Sequence, residues 1–401
     1  MKENKPMKTK TNIRLTIVTV LTVCTALLAL PKDLYGQIYV TNQSNGTVSE
    51  YNLDGTIVNP ALISGVGAAT GIVVSGGKLW VANGGGIGEY DAITGAPINA
   101  SLVSGLSDAN GLALSGGNLY VSNRNIGTIG EYDATTGATI NASLVSLPPH
   151  GFTGIAVDGG KLFVANGDNA TIGVYDATTG ATINASLVSA GSGYPIGVVV
   201  SGGNLWVAYY GASKIGEYDA TTGTPINSSL VSGLNGSAGL ALFGGNLFVV
   251  NYNSGVVGEY DASTGATVNA SLAFSGATQS YYIAVVQPYT AEVQQPINSD
   301  GSSVFSVRRG VVPVKFTLSQ GGTQTCALPS ATIALTRTSG GTIGSIDESV
   351  YVGPADTGSN FRIDSCQYVY NLSSSALGPG TYRVDINING QTVGSGIFGL
   401  K

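Results

Sequence analysis

His150, in the stretch SLPPHGFTG, is the single histidine among the 401 residues. A zinc ion held by a histidine pair is therefore excluded, and a Ser-His-Asp relay would have to run through this one side chain. Carboxylates are better supplied. Asp91, Asp133, Asp176, Asp219 and Asp261 recur at regular intervals, as do Glu50, Glu89, Glu131, Glu217 and Glu259. Groups that occur once per repeat lie far apart, so both sets read as architecture. Only Asp158 and Asp168 break the register. Calcium needs nothing but oxygen ligands, so the metal content is left unassigned. No other cofactor is called for: the glycine-rich GGGIG near Gly84 lacks the following helix that a phosphate cradle needs.

The intervals themselves lead back to the elements. IGEYDATTGATINASLVS, residues 129–146, returns as IGVYDATTGATINASLVS, residues 172–189, with Glu131 replaced by Val174. The segments IYVTN, LWVAN, LYVSN, LFVAN, LWVAY and LFVVN start at residues 38, 79, 119, 162, 205 and 247. A period near 42 residues with strand-type text predicts an all-β ring, one four-stranded sheet per period. In each unit an inner strand a such as GIAV (154–157) turns through two glycines into strand b. Strand c ends in Tyr-Asp or Tyr-Asn, and Thr-Gly or Asp-Gly leads into the outer strand d. The chain enters the ring on a strand b. Its missing strand a is expected from YIAVV (282–286), which would close a six-bladed β-propeller over residues 37–287.

IYVTN (38–42), followed by NGTVSEYNLDGTIV (45–58), resembles the YVTN and NHL groups of β-propeller repeats. That resemblance implies the fold but no one activity, since such propellers serve as binding scaffolds, lyases, lactonases and surface proteins. In a propeller the d–a and b–c loops share one face. Here those loops carry Arg124, His150, Phe152, Asp168, Tyr194, Tyr209, Tyr210 and Tyr252, with Asp108 and Tyr281 beside them. Rings with polar tips suit sugars or peptide side chains, so these residues form the candidate ligand face. The Asn-x-Ser sequons at Asn99, Asn141, Asn184, Asn227 and Asn269 read as a repeated strand-d residue rather than as modification sites.

After Val286 the period stops, and residues 287–301 read as a linker. Short alternating runs then predict a β-sandwich over 288–401. Pro313-Val314-Lys315-Phe316, with FRIDSCQYVYNLSS and GPGTYRVDI further on, resembles the PxKF-type Ig-like accessory module of bacterial extracellular proteins. Cys326 and Cys366 are its two cysteines. In an exported chain they are expected to pair, stabilising the module by about 4 kcal/mol on a loop-entropy basis.

Residues 1–36 place five basic residues ahead of the uncharged run 15–30, the layout of a secretory signal peptide, with no membrane span expected in the mature chain. Residues 37–286 carry 4 basic and 14 acidic residues. An acidic surface of this kind repels phosphate backbones and excludes nucleic acid as a natural partner. The expectation is a secreted or cell-surface, non-enzymatic binding protein for a glycan or protein ligand. Two alternatives stand beside it: a calcium-dependent, lactonase-like hydrolase and a structural envelope or matrix component.

Overall fold

The computed structural model describes residues 36–401 apart from 150, 190, 192, 277–278, 287–288, 321–322, 327–330, 341–360, 375–376 and 389–390. The leader and His150 thus lie outside the described residues. Among the described residues from Gln37 to Val286 every element is a β-strand.

The repeat Phe152–Asp158, Lys161–Asn166, Thr171–Asp176 and Thr182–Ser189 shows how the text folds. Its four strands pair antiparallel in chain order. Gly159 and Gly160 turn the first hairpin with φ of 54° and 74°, values that a Cβ would resist. Strand b, KLFVAN, is buried on both faces because sheets cover it from either side. The Asp176 carboxylate closes the c–d turn by accepting from the Thr178 and Thr179 amides and the Thr179 hydroxyl. Asp91, Asp133, Asp219 and Asp261 repeat this turn.

Four sheets hold four strands each, and a seven-stranded sheet divides within the long strand Pro97–Ser115. That strand is the outer strand of one unit and the inner strand of the next. Ser280–Val286 pairs with Gln37–Asn42, with Val40 opposite Ile283, so the chain's late strand completes the sheet built by its early ones. The inner strands meet in a closed order: Ile72–Ser75, Pro97–Ser115, Phe152–Asp158, Pro195–Ser201, Ser237–Phe243, Ser280–Val286, and back to the first.

Two devices lock neighbouring sheets. An aromatic residue on strand b reaches across to the alanine that follows the next turn aspartate. Trp80 and Trp206 donate their indole N–H to the carbonyls of Ala134 and Ala262, and Tyr39 and Tyr120 use their hydroxyls on Ala92 and Ala177. At the turn tip, a Cβ on Gly180 would stand 1.8 Å from the Leu144 carbonyl oxygen of the preceding sheet. The same contact joins Gly55 to Leu272, across the seam between the first and last sheets. Thr-Gly is repeated because a bare backbone must fit there.

Residues 289–400 form two further sheets packed face to face. Tyr289–Gln294, Val311–Gln320, Gln367–Ser373 and Arg362–Asp364 make one, with Thr323–Thr325 paired to Val311–Gln320; Val304–Phe305, Gln391–Leu400, Gly380–Ile388 and Ala331–Ser339 make the other. Val312, Val314, Val384 and Phe398 meet between them. The expected linker is corrected here. Residues 289–294 are a strand, since Ala291 and Val293 alternate inward onto the cluster of Phe316 and Leu318. Cys326 and Cys366 are disulfide-bonded.

Candidate functional site

The loops at one end of the ring are tied together by main-chain hydrogen bonds that repeat from unit to unit. The Arg124 amide donates to the Asp108 carbonyl, that of Tyr210 to Tyr194, and that of Tyr252 to Gly236. Each bond fixes a residue after strand b against one before strand a. Asp108 and Tyr194 take left-handed φ values of 63° and 47°, which turn their side chains off the strand path.

On this frame tyrosines from separate sheets converge. Tyr210 and Tyr252 meet edge to face at 5.7 Å between ring centres, and Tyr252 meets Tyr281 in the same way at 5.5 Å. Tyr281 then leans on Tyr282 at 5.1 Å. Ile196 and Ala238 pack beneath the group, with Tyr194 against it. The Tyr210 hydroxyl donates to the Asn253 side chain.

Arg124 enters the same space from another sheet. It hydrogen-bonds Tyr194 and pairs with Asp108 at 3.4 Å, with a third of its side chain exposed. Burial opposes its charge, but the oxygens of Tyr281, Asp108 and Tyr194 outweigh that and hold its pKa above the ordinary arginine value. Burial pushes Tyr281 up to about 12, although Arg124 and a hydrogen bond from Asn110 pull the other way. Both groups therefore keep their neutral-pH forms, a fixed cation beside neutral phenols.

The remaining predicted residues divide. Asp168 lies exposed on the turn after Asn166. Phe152 begins an inner strand opposite Asn166, and its side chain lies outside the described residues, as does His150. Tyr209 is a correction. It is 1% exposed and points into the seam between two sheets, where it donates to the Tyr218 hydroxyl at 2.8 Å. Most repeats end strand b in asparagine. A tyrosine there is long enough to reach the apolar seam, and burying its ring wins over the loop face.

Tyr282 and Asn110 were missed from sequence. Five inner strands carry glycine at one position, as in ATGIVVS and PIGVVVS, and the sixth, SYYIAVV, carries Tyr282. The glycines allow close approach: a Cβ on Gly71 would lie 2.1 Å from the Asn110 carbonyl oxygen and one on Gly197 2.1 Å from that of Ala238. Tyr282 crosses this constriction and donates to the buried Asn110 side chain on another sheet. The signal available was the lone break in a glycine column.

Beyond Tyr282 a cavity of about 370 Å³ runs along the inner strands, walled by Ile72, Leu114, Val199, Leu242 and their neighbours. These aliphatic side chains do not fit a calcium ion, and no cluster of three His, Cys, Asp or Glu able to hold a metal occurs among the described residues. The strand-c carboxylates are bound elsewhere: Glu89 pairs with Lys78, while Glu131, Glu217 and Glu259 accept from Asn118, Asn204 and Asn246.

Residues 125–292, less than half the chain, match the family model described as outer membrane protein assembly factor BamB. No curated protein matches the chain. Among solved structures, a chain of a nidogen/laminin complex aligns with TM-score 0.53 and 16% identity, covering 62% of this chain and 98% of that one. A protein of unknown function from Bacteroides caccae gives 0.49 at 16% identity, covering 63% and 98%. A streptogramin B lyase gives 0.46 at 17%, covering 59% and 83%. The closed ring of inner strands and the first of these alignments define the class: this chain is a β-propeller repeat protein.

Proposed function

We propose that the chain is an exported six-bladed propeller whose loop face binds a glycan or protein ligand without chemical turnover, and that residues 288–401 form a separate Ig-like unit serving as spacer or attachment module. The carrying observation is the Tyr210–Tyr252–Tyr281 series beside Arg124, assembled from separate sheets and held by main-chain bonds. Preorganised aromatic rings with hydroxyl tips and one fixed cation match the polar and apolar faces of a sugar or of an interface side chain. The disulfide supports an oxidising compartment. Partial similarity to an outer-membrane assembly factor supports a protein-binding role in the cell envelope.

The test is binding to glycan and peptide arrays by the full chain and by Tyr252→Ala and Tyr210→Ala variants. Loss of a hot-spot ring should weaken binding by about tenfold or more. Unchanged binding in both variants would remove this face from consideration.

A further inference from the structure

The outer strands of the ring raise a question that the loop face does not answer. Ile98, Ile140, Ile183, Ile226 and Val268 occupy the same place on successive outer strands, and each is between 50% and 55% exposed. They account for half of the large apolar side chains the described residues leave in solvent. The outer strands, taking only residues 97–104 of the long shared strand, contain no Asp, Glu, Lys or Arg, as in TINASLVS and TVNASLAF. Each pairs with strand c on one side only, so its other main-chain edge is open.

Fold requirements explain the neighbours of these residues but not the residues themselves. Asn141 and Asn184 accept from the Ser143 and Ser186 amides, and Leu144 and Val145 are buried against the adjoining sheet. Ile140 and Ile183 satisfy no such need. The b–c loops, which are less exposed, have drifted to RNIG, GDNA, YGAS and YNSG, while the strand-d text has stayed nearly constant. Natural sheets guard open edges with charge or proline, and the edges at 139–146, 182–189 and 267–274 carry neither.

We infer that this rim is a self-association surface whose occupant is the rim of a second copy of the chain. An open edge is complementary to itself when two copies run antiparallel about a two-fold axis. The nearest acids, Asp133 and Asp176, sit in the turns at the start of each outer strand. Antiparallel pairing sets each against the uncharged far end of the other copy's strand, so like charges do not meet. The unguarded edge occurs on three sheets, while Pro60, Pro97 and Pro225 lie on the other three outer strands, so association can continue beyond a dimer.

The experiment is sedimentation velocity of the full chain at rising concentration, in low and moderate salt, beside an Ile140→Lys/Ile183→Lys/Val268→Lys variant and a milder Ile140→Thr/Ile183→Thr pair. The weight-average mass of the wild type should rise by about twofold or more with concentration. Salt should promote the rise, since it screens the ring's net negative charge. The lysine variant should remain monomeric with an unchanged circular dichroism spectrum and melting temperature, and the threonine pair should fall between. A wild type that stays monomeric throughout overturns the inference, as does equal association of the lysine variant, or association that salt dissolves. Tyr252→Ala should leave the rise intact, which separates this surface from the loop face.

Discussion

Tyr252 is the middle ring of its series and touches both neighbours, so its loss breaks two ring contacts where loss of Tyr210 breaks one. It is therefore the sharper probe of the ligand face. At the same scale the turn aspartates make a statement about acid. Hydrogen bonds from Thr264 and Ser263 hold the Asp261 carboxyl at about 2, and those of Asp133, Asp176 and Asp219 are lowered by equivalent bonds. A carboxyl depressed on folding stabilises above its unfolded value and loses that contribution as pH falls through the folded one. The melting temperature should therefore drop between about pH 4 and pH 2. Asp261→Asn should make that drop shallower, read by calorimetry across this range.

Strands and turns set the next scale, where the repeated text acts through contact between sheets. Gly180 combines a φ of 72° with the Leu144 carbonyl oxygen where a Cβ would go. Gly180→Ala is expected to cost about 1–3 kcal/mol, seen as a lowered denaturant midpoint. Phe248 is buried at the seam where the last sheet meets Ile38 and Val40 of the first. Phe248→Ala should cost about 3–5 kcal/mol by leaving a cavity in the closing joint. A smaller loss would mean that the seam relaxes to fill the space.

For the whole molecule, closure depends on a strand from late in the chain completing a sheet begun at Gln37, which leaves no unpaired inner element at the join. The sheets after residue 288 are stabilised differently, by the bond between Cys326 and Cys366, which are 40 residues apart. Reduction should remove about 4 kcal/mol from that unit. Calorimetry is expected to show two transitions, with reductant moving only one. A single transition that moves as a whole would contradict the proposed separation of the two units.

Local chemistry made the strands, the Gly-Gly and Asp-Thr-Gly turns and the late closing strand legible before any coordinates, because each repeats a pattern that works over a few residues. The strand at 289–294 reads as linker from sequence because Pro288 and Pro296 flank it and its polar residues mask a short alternation. The burial of Tyr209 and the placement of Tyr282 across the constriction were not legible, since no local rule states which sheet a side chain will face. The primary structure alone determined that this chain must wind identical sheets into a ring. Only the tertiary structure decided which tyrosines gather at its mouth and which vanish into its seams, because that depends on distances between segments remote along the chain.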